Sequence, residues 1–145
     1  MNETVLITGG TGSIGRRLTQ LLQQEGYQVS LLSRSPKTIP DVRVYQWDIK
    51  KGHVDPQAIA TADHIIHLAG EGIADERWTD ERKEAIISSR TKSTDLLREA
   101  LAKNPHHVKS FIGASAIGYY GGDTADRPLT ETSQGGSDFL AQTVR

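Results

Sequence analysis

The chain has no cysteine among its 145 residues, which removes disulfides, thiolate metal sites and cysteine nucleophiles from consideration. It also lacks a basic excess: 17 Lys and Arg face 18 Asp and Glu, a formal charge of −1, and that balance points to no nucleic-acid partner. No apolar run approaches the roughly 20 residues of a membrane span, and the first residues show no charged-then-apolar leader pattern. The expectation is a soluble, cytoplasmic protein with no membrane partner that acts on a small molecule. The histidines His53, His64, His67, His106 and His107 fall in no metal-ligand spacing, so no metal site is expected. Repeats and low-complexity segments are missing too, and one domain over residues 1–145 is the simplest organisation.

What the chain does have is a glycine cluster placed where it carries meaning. Residues 4–15 read TVLITGGTGSIG, an apolar strand running into Gly10, Gly12 and Gly15 at G-x-G-x-x-G spacing, followed by an amphipathic helix. In such a turn Gly10 permits a sharp reversal, Gly12 lets a pyrophosphate reach the main chain, and Gly15 lets helix and strand pack closely. The phosphates then meet free N–H groups at the positive end of a helix. Gly9, Gly10, Thr11, Gly12, Ser13, Ile14 and Gly15 are therefore the candidate phosphate cradle. The competing readings are a merely flexible turn and a Walker A loop. The second fails on chemistry, because Arg16 and Arg17 stand where the phosphate-capping Lys and the magnesium-binding hydroxyl would be.

The rest of the chain alternates strands with helices. The first helix is expected to bury Ile14, Leu18, Leu21 and Leu22, to turn Arg17, Gln20, Gln24 and Glu25 away, and to end at Gly26. Strands follow near 28–33, 42–47, 64–68 and 108–114, with a short helix at 56–60. A long helix starts at Thr79, with Asp80 and Glu81 in its first turn and Ile86, Ile87, Leu97 and Leu101 along one stripe; Asn104 and Pro105 stop it. A last helix begins at Ser137 or Asp138. Alternation with right-handed crossovers predicts an α/β fold, a doubly wound parallel sheet of the Rossmann type, with a crevice at the strands' C-terminal ends. About five strands are visible where six or so are usual, so the sheet is expected to be truncated.

The end of the second strand bears on which nicotinamide cofactor would bind. A carboxylate there accepts from the ribose 2′-hydroxyl of NAD, whereas an arginine suits the 2′-phosphate of NADP. Here the residues are Ser33, Arg34 and Ser35, a guanidinium between two hydroxyls, which favours NADP over NAD through forked, charge-assisted hydrogen bonds. The alternative is that Arg34 is an ordinary solvated loop charge.

Taken together, ITGGTGSIG, the WDI at Trp47 to Ile49, HLAG at His67 to Gly70, AGEGIADERWTDERKEAIISSR from Ala69, and FIGASAIGYYG at Phe111 to Gly121 resemble the extended and atypical short-chain dehydrogenase/reductase superfamily. Within it they are most similar to the NAD-dependent epimerase/dehydratase-like "epimerase family" proteins, some of which are described as sugar-nucleotide epimerases. The resemblance covers essentially the whole chain. It implies that family members are about twice as long, with a C-terminal substrate region, and that this chain corresponds to their N-terminal half. It also places Asp48 and Ile49 beside the adenine, and Leu68, Ala69 and Gly70 beside the adenine ribose. The competing roles are a turn cap for Asp48 and a permissive loop for Leu68 to Gly70.

For catalysis the resemblance is weaker. Reductases of the superfamily use a Tyr-x-x-x-Lys pair in which Lys lowers the Tyr pKa for proton exchange, with a nearby Ser or Thr orienting the carbonyl. In this chain Phe139 and Thr143 occupy the Tyr and Lys places, so that pair is missing. Ser115 remains the candidate orienting hydroxyl, although the register also allows Ala116, and Tyr119 and Tyr120 are the candidate phenols. Packing with a satisfied hydroxyl is the competing role for both tyrosines. Glu71, Asp75 and Glu76 either line the crevice or form a solvated approach to the long helix. The functional expectation is the cofactor half of an NADP-dependent oxidoreductase or epimerase, or else a non-catalytic NADP-sensing module. A homodimer through an uncovered sheet edge is a further expectation.

Overall fold

The computed structural model describes residues 3–122 and 124–145. They form two compact units, one ending at Gly113 and one spanning Ala114–Arg145. The first unit contains a six-stranded sheet. Its elements are β1 (Thr4–Thr8), α1 (Ser13–Gln24), β2 (Gln28–Ser33), β3 (Arg43–Asp48), β4 (His53–Val54), α2 (Pro56–Ala60), β5 (His64–His67), α3 (Asp80–Lys103) and β6 (Ser110–Gly113).

The strands lie in the order β4-β3-β2-β1-β5-β6. β1 pairs in parallel with both β2 and β5, so the winding changes direction beside it. In doubly wound sheets ligands bind in the crevice at this switch point. Alternation along the strands feeds two cores. Leu6, Leu32 and Ile65 face the side covered by Ala58 and Ile59 of α2 and by Leu97 and Ala100 of α3. Val5, Ile7 and Leu31 face the other side, with Leu18 and Leu22 of α1 packed against them. Burial on both faces is why these strands are apolar runs rather than polar-apolar alternations.

Three expectations need correction, for the sheet, for α1 and for the stripe of α3. The sheet has six strands, not about five, and it is not wholly parallel: β4 pairs antiparallel with β3, Trp47 opposite Val54 and Asp48 opposite His53. The reversal is local. Asp48 Oδ1 accepts from the Lys50 and Lys51 amides at 3.0 and 3.1 Å, and Gly52 at φ +64° completes the turn back. A two-residue strand has no periodicity to read.

The second correction concerns α1, which buries Gly15 and Thr19 and half-buries Leu18 and Leu22, while Ile14 is 71% and Leu21 40% exposed. Helix and strand end meet at Gly15, so the buried face runs 15, 18, 19, 22, and Ile14 lies about 100° off it. Thr19 is tolerated inside because its hydroxyl donates to the Gly15 carbonyl at 2.8 Å. Gly26, at φ +87°, closes the helix as expected. In α3 the stripe is Ile86, Ser93, Leu97 and Ala100, with Ile87 turned outward. Thr79 caps this helix by accepting from the Arg82 amide at 3.2 Å.

The second unit holds a 3-10 turn, Ile117–Tyr120, and α4, Phe139–Thr143. Asp138 caps α4, accepting from Ala141 N at 2.9 Å and from Gly122 N at 2.8 Å, and these amides, Ala141 first, hold its carboxyl below the usual range. Gly121 and Gly136 pass so closely that a Cβ on Gly136 would lie 2.6 Å from Gly121 Cα.

Candidate functional site

β1 ends at Thr8, and the chain turns through Gly9 at φ +70° directly into α1. The turn is tight: Gly12 N donates to Gly9 O at 3.0 Å. It is also crowded at defined places. A Cβ on Gly9 would stand 2.9 Å from the Leu68 carbonyl carbon, and one on Gly15 would stand 2.5 Å from both Gly10 Cα and Gly9 O. At Gly12 the nearest atom, Gly9 O, would be 3.3 Å away, a tight contact but a less severe one than at Gly9 or Gly15. Gly12 is the N-cap of α1 and no side chain caps the helix, which leaves its first amides without intrahelical partners.

In front of the turn lies a cleft of about 350 Å³. Its floor and rims come from the C-terminal ends of three strands: Gly9, Thr11 and Gly12 after β1; Ser33, Arg34 and Ser35 from β2; Leu68, Ala69 and Gly70 after β5. Ile49, following β3, lines it too. The structure thus brings ten of the sequence-predicted cofactor positions to one cavity. Gly10, Ser13, Ile14, Gly15 and Asp48 do not line it. Gly10 and Gly15 lie where helix and strand end pack together, a Cβ on Gly10 falling 2.3 Å from Leu31 Cδ2. Asp48 spends one carboxylate oxygen on the turn after β3, and its other oxygen lies 3.9 Å from Lys51 Nζ.

Sequence reasoning did not find Leu32, Lys37, Trp47 and Ser89, which also line the cleft. Leu32 and Trp47 are buried at 4% exposure each, and an apolar wall gives no signal separate from a core. Lys37 lies in the polar loop after β2, where a second cation near Arg34 was there to be noticed. Ser89 sits far along the chain and reaches the cleft only through packing of α3.

The β5 rim is pinned to α3 by polar contacts. Glu71 N donates to Ser89 Oγ at 3.0 Å, and Arg90 Nη2 donates to Glu71 O at 3.1 Å. Arg82 Nη2 donates to Gly72 O at 2.7 Å, while Arg82 Nη1 lies 3.5 Å from Glu71 Oε2. Asp75 and Glu76 each stand 3.9 Å from the same guanidinium. Of the three acids, Glu71 lines the cleft.

Behind this rim is a buried polar chain. Thr8 Oγ1 accepts from Leu68 N and Ala69 N at 3.2 and 3.1 Å, so its own proton is directed to His67 Nδ1, 2.6 Å away. Ser93 Oγ donates to Arg90 O at 3.0 Å and stands 3.0 Å from His67 Nε2. This network assigns the neutral Nε2–H tautomer. Burial holds the His67 pKa below its ordinary value, consistent with that neutral form.

Ser115, Tyr119 and Tyr120 belong to the second unit. Ser115 is exposed. The Tyr120 phenol donates to Thr130 O at 3.0 Å, a packing use of its hydroxyl. Tyr119 meets Tyr120 edge to face at 5.2 Å, and the Arg145 guanidinium lies 5.8 Å from its ring. Thr143 Oγ1 donates to Phe139 O at 2.7 Å within α4, so the two residues at the Tyr and Lys places make a helix contact. Among the described residues no group of three or more His, Asp or Glu could hold a metal ion, and no helix is long and apolar enough to cross a membrane.

A mostly parallel sheet with its switch point at β1, and a glycine turn leading from β1 into an uncapped helix, define a nucleotide-binding unit of the Rossmann type. The chain belongs to the NAD dependent epimerase/dehydratase family, whose pattern it matches over residues 5–142. Similar proteins include an epimerase family protein of Mycobacterium bovis, 35% identical over 97% of this chain and 45% of its own length. Another is epimerase family protein SDR39U1 of Homo sapiens, 34% identical over 97% of this chain and 46% of its own. The crystal structure of the human protein (isoform 2) with NADPH superposes with a TM-score of 0.79 at 31% identity, covering 97% of this chain and 46% of that one. A nucleoside-diphosphate sugar epimerase from Corynebacterium glutamicum also gives 0.79, at 39% identity, covering 99% of this chain and 29% of that one. The chain spans about half the length of the relatives it matches.

Proposed function

We propose that the cleft binds NADP and that the chain is the cofactor half of an oxidoreductase or epimerase acting by hydride transfer on a small carbonyl or sugar-nucleotide-like substrate, in the cytoplasm. The observation that carries this reading is the glycine turn from the central strand into uncapped α1, facing a cleft whose β2 rim holds Ser33, Arg34, Ser35 and Lys37. The fit is steric as well as electrical. No side chain can stand at Gly9 or Gly15, and Gly12, without a side chain at the edge of the cleft, leaves room for a diphosphate to approach the main chain. Leu32, Trp47, Ile49 and Leu68 give a flat aromatic base an apolar bed. The relative solved with NADPH supports the same choice of cofactor.

When bound, such a cofactor supplies or accepts hydride at its nicotinamide ring. The protein's part is to hold the diphosphate at the free amides that open α1 after Gly12, to pair the 2′-phosphate with Arg34 and Lys37, and to seat the adenosine between Ile49 and Leu68 to Gly70. Ser115, Tyr119 and Tyr120 are the proposed hydroxyls for orienting a carbonyl or passing a proton. A second reading is an NADP-sensing module without turnover. Phe139 has no exchangeable proton, and Thr143 is committed to its own helix, which favours that reading.

Calorimetric titration of the full-length protein is expected to show tighter binding of NADPH than of NADH, and Arg34→Ala is expected to remove most of the difference, about tenfold, the scale of one charge-assisted phosphate contact. Equal affinities in the parent would refute the NADP assignment. Supplying NADPH with a panel of carbonyl compounds and following the reduced nicotinamide separates the readings: steady oxidation eliminates the pure sensor.

A further inference from the structure

The two rims of the cleft carry opposite charges that meet across its mouth. On the β2 rim is Arg34, its side chain 78% exposed; on the β5 rim is Glu71, 40% exposed, and Arg34 Nη1 lies 3.7 Å from Glu71 Oε1. We propose that Glu71 is a specificity-determining residue: its carboxylate opposes any phosphate held by Arg34 and so sets how strongly the cleft prefers a 2′-phosphorylated cofactor. The inference rests on the NADP reading above.

The two partners are held very differently. Glu71 is fixed at three points: its amide on Ser89 Oγ, its carbonyl on Arg90, and its second carboxylate oxygen beside Arg82, whose side chain is only 13% exposed. Arg34 meets Glu71 at a distance too long for a hydrogen bond, so the donors of its fork remain available to a phosphate. The movable cation therefore changes partner while the carboxylate stays in place.

Arg82 does not cancel the Glu71 charge, because it is shared with Asp75 and Glu76 at 3.9 Å each. A phosphate seated on Arg34 thus lies a few ångströms from an acidic rim. A cofactor with only a 2′-hydroxyl places no added charge there and meets less of this opposition. Discrimination between the two is a difference of affinities, and a fixed like charge acts on that difference directly.

The test is calorimetric titration of the full-length protein with NADPH and with NADH, in parent, Glu71→Gln, Arg34→Ala and the double variant, at low and high salt, with thermal melts to confirm folding. Glu71→Gln keeps the side chain's size and is expected to tighten NADPH about threefold, as one charge some 6 Å from a screened dianion would suggest, and NADH by less. The gain is expected to shrink at high salt and to disappear in the Arg34→Ala background. Glu71→Ala removes the same charge and is expected to shift the NADPH-to-NADH ratio in the same direction, should the glutamine variant fold poorly. An unchanged ratio, or weaker NADPH binding in Glu71→Gln, overturns the inference; the weaker outcome would mean that the ion pair clasps bound cofactor. If Arg34→Ala abolishes a parent preference that Glu71→Gln leaves alone, only this inference fails. If neither variant nor parent distinguishes the two cofactors, the NADP reading fails with it.

Discussion

Gly12 and Gly15 lie three residues apart in one motif, yet they serve different ends. Gly15 has backbone on every side that a methyl would enter, with Gly10 Cα and Gly9 O at 2.5 Å from its virtual Cβ. Backbone cannot rotate away as a side chain can. Gly15→Ala is expected to destabilise the fold by about 1–3 kcal/mol through overpacking, read as a lower denaturant midpoint. Gly12→Ala is expected to lower that midpoint less, because its new methyl meets Gly9 O at 3.3 Å and asks for a shift of only a few tenths of an ångström, while weakening cofactor binding. A Gly15→Ala variant as stable as the parent would show that helix and strand can separate here. The motif made both glycines visible in the sequence, but only the packing around them separates a structural role from a binding one.

At the scale of elements, β6 is the edge strand, and a charged cluster ties the run leading into it to the middle of the sheet. Lys109 pairs with Glu3 and lies 3.1 Å from Asp63 Oδ1, while Asp63 Oδ2 accepts from the Thr4 amide at 2.9 Å. The Lys109 ammonium, with His64, holds the Glu3 carboxyl below its ordinary value, and the Thr4 amide followed by Lys109 does the same for Asp63. With folded values depressed, the unfolded chain takes up protons first as pH falls. The cluster's contribution is thus complete above the ordinary values of 4.5 and 3.8 and fades as pH drops through the lowered folded ones. Lys109, raised by the same partners, contributes below its ordinary 10.5 and loses that contribution as pH climbs through its folded value. Melting temperature against pH is expected to fall in acid, and Lys109→Met is expected to flatten that limb. An unaltered acid limb in the variant would show that the cluster adds nothing to stability.

Elements were legible where their signal was long or chemically sharp. β2 shows in the sequence with its observed bounds, and Gly26, Thr79 and Asn104 mark helix ends because each acts through its own backbone or side chain. β4 was not legible, since its two residues pair only because Asp48 and Gly52 turn the chain back. The buried face of α1 was misread because its closest contact is a glycine, which a hydrophobic stripe does not count. Trp47 and Leu32 are core, and they line the cleft as well; a residue that serves both gives one signal.

For the whole molecule, the edge strand β6 presents Phe111 at 41% and Ile112 at 54% exposure, on opposite faces of the sheet. An edge strand with exposed apolar side chains is a template for another chain. The 145-residue chain, prepared alone, is expected to form a dimer or larger assembly by light scattering, in a manner that Ile112→Lys reduces; a dilute, stable monomer would contradict this.

The imidazole of His67 acts as a tie-rod. One nitrogen is fastened through Thr8 to the first amides beyond β5, and the other through Ser93 to the backbone of α3. Sliding that long helix along its axis would strand a buried donor or acceptor somewhere in the line, so the end of β1, the loop beyond β5 and α3 travel as a single rigid piece.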